Sequence, residues 1–186
     1  MNAINIGLIG FGTVGSGVVK IVQDNADLLA ARVGIPLRVK RIADLDIQSD
    51  RGVSLDGILL TKDAKDILED PEISIVAELI GGHEPARSFI LEAFKRGKQV
   101  VTANKALLAE CGQEIFAAAH QAGTDIAFEA AVAGGIPILR SLREGLVANR
   151  FERVMAILNG TCNFILTAMN ERPGVSFDDV LGQAQE

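Results

Sequence analysis

The stretch Ala3-Ile4-Asn5-Ile6-Gly7-Leu8-Ile9-Gly10-Phe11-Gly12-Thr13-Val14-Gly15 decides the fold. Its first part, Ala3 to Gly10, is a short apolar run closed by glycine, the pattern of a buried strand. Its second part spaces Gly10, Gly12 and Gly15 as G-x-G-x-x-G. Beyond it, Val14, Val18, Ile21, Val22, Leu28 and Leu29 recur at helical spacing, so a helix is expected from Val14 to about Leu29. Strand, glycine turn and helix are the setting in which this spacing acquires a phosphate-binding meaning. Gly10 permits the tight turn, Gly12 lets a pyrophosphate approach the backbone, and Gly15 lets helix and strand pack closely. The first helical turn then offers unpaired N–H groups and a positive dipole end, with Phe11, Thr13 and Val14 lining the loop. This loop is read as dinucleotide-binding.

The same alternation continues outward. Leu37 to Ala43 is expected to be a second strand, after the interruption at Gly34 and Pro36, and Asp63 to Glu69 a short helix stopped by Pro71. Ile73 to Ile80 is a third strand, closed by Gly81-Gly82, and Pro85 opens a helix that ends at Gly97. Gln99 to Thr102 gives another strand, Lys105 to His120 a helix, Ile126 to Ala131 a strand and Pro137 to about Asn149 a helix. Alternating strands and helices imply a parallel sheet covered on both faces. The fold class is therefore α/β, a Rossmann-type doubly wound parallel sheet. After Phe151 the rhythm changes: Arg153 to Leu158 reads as the first strand of a different sheet, followed by a helix over Thr161 to Asn170. A last helix begins near Ser176, with Asp178 and Asp179 in its first turn. The chain divides into a dinucleotide-binding domain over 1–150 and the beginning of a second, α+β substrate domain over 151–186.

Composition narrows the function. Apolar residues make up 48% of the chain and Trp and Tyr are absent, which suits strands buried on both faces. A net charge of −6 argues against a general nucleic-acid binder, which needs clustered Lys and Arg. No apolar run reaches the roughly 18 residues of a membrane span, and Met1 to Gly10 lacks the layout of a signal peptide. A cytoplasmic protein is expected. Cys111 and Cys162 show no metal-ligand spacing, and His83 and His120 stand alone in sequence, so neither zinc nor haem is indicated. A Ser-His-Asp hydrolase would need a G-x-S-x-G elbow, which the sequence lacks.

Asp44 follows the second strand and is placed to bind the adenosine ribose hydroxyls, which favours NAD. It lies farther from the glycine loop than the roughly 20 residues usual for this acid, so a long first helix and loop must intervene. Arg41 and Arg51 are the basic residues that would instead meet the 2′-phosphate of NADP.

Four later segments are more specific than the glycine loop. They are Glu78-Leu79-Ile80-Gly81-Gly82-His83-Glu84-Pro85, Val101-Thr102-Ala103-Asn104-Lys105-Ala106-Leu107-Leu108, Glu129-Ala130-Ala131-Val132-Ala133-Gly134-Gly135-Ile136-Pro137 and Ile157-Leu158-Asn159-Gly160-Thr161-Cys162-Asn163-Phe164. Together, and in this order, they resemble the homoserine dehydrogenase family. The resemblance implies NAD(P)-dependent oxidation of L-homoserine to L-aspartate 4-semialdehyde, and the reverse, in threonine and methionine biosynthesis. The family often carries Arg just before the acid that follows the second strand. Here that position is Ala43, a departure that leans toward NAD.

By the same resemblance Lys105 is one of two lysines at the reaction centre. A cation at the carboxyl end of a strand would face the crevice and polarise a carbonyl oxygen. Gly81, Gly82 and Thr102 would border the cofactor near the nicotinamide, and Thr161 the homoserine pocket, although a threonine there can also cap its helix. Glu129 with the backbone at Val132, Gly134 and Ile136 resembles the family's monovalent-cation site, whose oxygen ligands suit sodium. The family's substrate domain continues beyond the residues present here. The 186-residue chain is therefore expected to bind cofactor but to be inactive alone, and a homodimer is implied for the parent. An acylating semialdehyde dehydrogenase would need an activated cysteine, and neither cysteine has basic neighbours in sequence. The alternative from another class is a non-catalytic NAD(H)-binding redox sensor, against which Lys105 and Thr161 favour the enzyme.

Overall fold

Residues 3–185 are described by the computed structural model. Among them, β1 (Ile4–Ile9), β2 (Leu37–Ala43), β3 (Leu59–Thr61), β4 (Ile73–Glu78), β5 (Gln99–Thr102) and β6 (Ile126–Ala127) form one sheet. The strand order is β3-β2-β1-β4-β5-β6, and every paired ladder is parallel. The order therefore runs outward in both directions from β1, and the switch point falls between β1 and β4. Parallel neighbours need crossovers, which α1 (Thr13–Asp24), α2 (Ala26–Val33), α3 (Lys65–Leu68), α4 (Ala86–Lys95) and α5 (Lys105–Ala122) supply. This is the Rossmann-type sheet that the alternation implies.

Successive residues of a strand point to opposite faces, and here both faces are covered. Leu8 packs with Phe11, Val19, Val39 and Ile42 in one core cluster. Its neighbour Ile9 packs with Ile67, Val76, Ile90, Phe94, Leu107 and Ile115 in the other. That two-sided burial explains why the central strands β1 and β4 are mostly apolar.

Several boundaries differ from the sequence reading. The first helix is two, broken at Asn25, whose side-chain amide donates to the Ile21 carbonyl at 3.1 Å and competes with the helical ladder. β3 was not expected, because three residues carry too little pattern. The strand over Ile126–Ala131 stops at Ala127, and Glu129–Ala131 forms a 3₁₀ turn.

Contacts divide the chain into two compact units, Met1–Ala131 and Val132–Glu186. In the second, α6 (Ile138–Arg140) runs into a π-helical turn at Ser141–Gly145. It is followed by α7 (Gly160–Glu171) and α8 (Phe177–Gln185). Ile165 and Ala168 of α7 pack on Val180 of α8 in a small core. Ser176 opens α8 as expected, its hydroxyl accepting from the Asp179 N–H at 3.1 Å. The strand expected over Arg153–Leu158 is not formed. A strand exists through its ladder, and among the described residues no segment pairs with this one, so Val154, Met155 and Ile157 stay largely exposed. No described helix is long and apolar enough to cross a membrane.

Candidate dinucleotide site

The three glycines of the loop meet different surroundings. Gly10 has φ +106°, and a Cβ there would sit 2.8 Å from the Leu79 carbonyl carbon. A Cβ on Gly15 would lie 2.3 Å from the Gly10 carbonyl oxygen. Only glycine lets β1 turn beside β4, and only glycine lets α1 approach that turn. Gly12 is the opposite case: a Cβ there would meet nothing within 4 Å. The open space in front of Gly12 is where a pyrophosphate would reach the backbone. No side chain caps α1, so its first N–H groups are not used up by one.

Gly10 and Gly12 line a cleft of about 500 Å³ at the carboxyl ends of the strands, together with Ala43, Asp44, Lys62 and Gly81. Ile80 and Phe89 add apolar wall. The cleft thus straddles the switch point, from the tip of β2 on one side to the loop after β4 on the other. Its carboxylate, the backbone of Gly10 and Gly12 and its length across β1 fit a dinucleotide.

Asp44 is fixed within this cleft. Its Oδ2 accepts from the Phe11 N–H at 2.5 Å and its Oδ1 from the Asp46 N–H at 2.8 Å. Each oxygen keeps lone-pair capacity on which a ribose hydroxyl could donate. The Phe11 side chain itself is buried in the core, 2% exposed, and only its backbone serves the loop. Thr13 and Val14 are exposed on the first turn of α1. Both arginines considered for a 2′-phosphate are engaged elsewhere. Arg51 pairs with Asp46 at 2.9 Å, and Arg41 lies 3.9 Å from Asp66 and 3.8 Å from Asp70. The basic residue on the cleft is Lys62, which the sequence did not single out.

On the other side of β1, Gly81 and Gly82 both have φ +71°, which turns the backbone back over β4. Beneath them lies Glu78, 0% exposed at the end of β4. Its Oε1 accepts from the Ile80 and Gly81 N–H groups at 3.0 and 3.1 Å. Its Oε2 accepts from the Thr102 hydroxyl at 2.6 Å. Thr102 is fully buried, with its hydroxyl spent on this bond, and its Oγ1 accepts from the Asn104 N–H at 3.0 Å. The Asn104 amide donates to the Gly82 carbonyl at 2.6 Å, while its Oδ1 caps α5 on the Leu107 N–H. Lys105 is the exposed first residue of α5, directly after this cap. Sequence reading missed the roles of Glu78 and Asn104. The available signal was an acid at the end of an otherwise apolar strand, where a buried charge requires partners.

The remaining candidates are distributed between the units. Glu129 starts the 3₁₀ turn that closes the first unit, and Val132, Gly134 and Ile136 lie in the loop that opens the second. Thr161 is exposed at the second position of α7. The cap of that helix is Asn159, whose Oδ1 accepts from the Cys162 N–H at 2.8 Å, so the Thr161 hydroxyl is not the cap.

Comparison with known proteins agrees with this geometry. Residues 10–129 match a family model described as the NAD binding domain of homoserine dehydrogenase, and residues 137–186 one described as homoserine dehydrogenase. The chain is 47% identical to homoserine dehydrogenase of Bacillus subtilis over all of its length, which is 43% of that protein. A crystal structure of homoserine dehydrogenase from Thiobacillus denitrificans superposes with a TM-score of 0.87 at 50% identity, covering 98% of this chain and 42% of that one. A hyperthermophilic archaeal homoserine dehydrogenase in complex with NADPH gives a TM-score of 0.76 at 27% identity, covering 98% and 60%. The chain therefore spans between about two fifths and three fifths of the length of these relatives. With a nicotinamide-dinucleotide fold, the glycine loop and both family models in register along it, the chain belongs to the homoserine dehydrogenase family.

Proposed function

We propose that residues 1–150 provide the cofactor cleft of a homoserine dehydrogenase and that 151–186 begin its substrate domain. The whole protein would oxidise L-homoserine to L-aspartate 4-semialdehyde and run the reverse. The observation that carries this reading is the cleft over the switch point, with Asp44 at one end, Gly12 in the middle and Gly81 at the other. When bound, the nicotinamide supplies the hydride acceptor. Lys105, held at the start of α5 after the Asn104–Gly82 bond, provides the positive charge that polarises the substrate oxygen. Thr161, whose hydroxyl is not used in capping, is the residue here assigned to the substrate.

NAD is the preferred cofactor in this reading. An anionic 2′-phosphate would meet the Asp44 carboxylate, while Arg41 and Arg51 are each committed to acids. The cation site, Glu129 with the carbonyls of Val132, Gly134 and Ile136, rests on the sequence motif, as does the parent homodimer. Calorimetric titration with NAD and NADP, beside an L-homoserine oxidation assay, tests the proposal. Binding that favours NAD, without turnover by the 186-residue chain, is the expected result. Absence of nucleotide binding overturns the cofactor assignment, and turnover by the chain overturns its expected inactivity.

A further inference from the structure

We infer that Glu78 is a positioning residue. Through Thr102 and Asn104 it locks the Gly81–Gly82 loop to the start of α5, so that the nicotinamide-side wall and Lys105 are placed as one body. Glu78 and Thr102 are register partners on the neighbouring parallel strands β4 and β5. Their side chains leave the ladder side by side; the loop after β4 lines the cleft through Leu79, Ile80 and Gly81, and the loop after β5 leads into Lys105. Three donors converge on Glu78 and it donates to none of them. Thr102 both donates to Glu78 and accepts from Asn104, which makes the hydroxyl a relay with a fixed direction. Asn104 completes the circuit by gripping Gly82 while capping the helix that begins with Lys105.

Burial makes the circuit consequential. Glu78 and Thr102 are both 0% exposed, so water cannot replace a lost partner. Removing the Thr102 hydroxyl would leave an Asn104 N–H without its acceptor and Glu78 Oε2 without its donor, with only Oε1 still held by the Ile80 and Gly81 N–H groups. Gly81 and Gly82, with no side chains of their own, have little else to hold their conformation. The adenosine side does not share this dependence, because Asp44 is held by the Phe11 and Asp46 N–H groups.

The inference rests on the dinucleotide reading, and the two are separable by comparing NADH with ADP-ribose, which lacks the nicotinamide. In the 186-residue chain, Thr102→Val should weaken NADH about tenfold while leaving ADP-ribose within about twofold, the effect of one buried hydrogen bond. Thr102→Ser, which keeps the hydroxyl, should restore NADH binding. Independently of any ligand, amide exchange in Thr102→Val should quicken at Ile80 and Gly81 and stay unchanged at Phe11. Should Thr102→Val not fold, Asn104→Ala cuts the circuit at Gly82 and must give the same split. Equal loss of both ligands, or loss in Thr102→Ser as well, would show a merely structural residue and overturn the inference. So would no change in any variant. Failure of the unaltered chain to bind either ligand overturns the dinucleotide reading and this inference with it.

Discussion

The Phe11 N–H donates to Asp44 Oδ2 at 2.5 Å, so the acid at the tip of β2 is held by the turn that would carry the pyrophosphate. In the proposed reading, the two halves of an adenosine diphosphate site are thereby joined by one hydrogen bond within the protein itself. A pre-formed site does not spend binding energy on ordering its own loops. The adenosine end of the cleft thus acts as a fixed reference, and the following expectations exploit it.

The glycines separate folding from binding. Gly12→Ala should leave the melting temperature nearly unchanged, because a Cβ there meets nothing within 4 Å and φ is −73°. It should still weaken NADH by about tenfold or more, roughly 1.4 kcal/mol, since the methyl occupies the pyrophosphate's approach. Gly15→Ala should behave differently. Its Cβ would press on the Gly10 carbonyl oxygen at 2.3 Å, a backbone contact that cannot swing aside. A loss of about 1–3 kcal/mol of stability is expected, read by thermal or denaturant melts. If both variants melt alike, the loop is looser than this geometry allows.

Asp44 and Lys62 line the same cleft with opposite charge, which gives the proposed cofactor choice a direct test. Asp44→Asn keeps an acceptor for a backbone N–H but removes the charge that repels a 2′-phosphate. The NAD-to-NADP affinity ratio should fall by about tenfold, with Lys62→Ala moving it the other way by weakening NADP. Displacement of bound NADH by each nucleotide measures this. An Asp44→Asn effect equal for both would mean that the acid holds the loop and does not read the ribose.

Much of this architecture was legible in the sequence, and the exceptions have physical causes. β2 and β5 fall where expected because Gly34 with Pro36, and Gly97, end the preceding helices and mark the strand starts. The split at Asn25 was hidden because a single side-chain hydrogen bond decided it against an unbroken helical pattern. Arg153–Leu158 carries strand-like residues but lacks a ladder, which no pattern within one segment can reveal. In the site, Gly10, Gly12 and Gly15 were readable because their spacing encodes local geometry. Glu78 and Asn104 were not, since their partners lie 24 and 22 residues away. Arg51 is a basic residue in the sequence, but its pairing with Asp46 arises only in the folded loop.

Asp46 organises the loop beside Asp44, and its titration should show it. The Ser49 hydroxyl and N–H, the Gln48 N–H and Arg51 hold its carboxyl down to about 2, below an ordinary 3.8 and against the opposing effect of burial. A depressed carboxyl contributes ordering that is present above its ordinary value and lost as pH falls through the folded one. The loop over Asp46–Arg51 should therefore stay ordered at pH 4 and release as pH approaches about 2. The carboxyl carbon shift of Asp46, followed by nuclear magnetic resonance with the Ser49 amide, gives both readings. A midpoint near 3.8 would show that the Ser49 and Arg51 contacts do not persist in solution.

Just before β4, away from the carboxyl ends of the strands, Asp70 should govern stability without touching binding. Its side chain is only 8% exposed, and both oxygens accept from the Lys40 ammonium, at 2.9 and 2.7 Å. The Glu72 N–H also donates to it, at 2.9 Å. Burial pushes this carboxyl up, but Lys40, the Glu72 N–H and Arg41 together hold it below its ordinary value. Close by, the buried Lys98 ammonium donates to the Asp70 and Ile73 carbonyls at 2.6 and 2.7 Å. Burial pushes Lys98 down and the Asp70 charge counters it. Asp70→Asn would leave three cations around a neutral amide. Because Lys40 is partly solvated, the cost should be about 1–3 kcal/mol and not the larger loss of a fully buried pair. The sign in pH follows from the depressed carboxyl: its contribution is complete above 3.8 and disappears as pH falls through the lower folded value. Denaturant melts of the unaltered chain and Asp70→Asn should therefore differ at pH 7 and converge on acidification, while NADH affinity stays the same at neutral pH. A gap that persists undiminished in acid would place the effect in packing around the amide and not in the charge of Asp70.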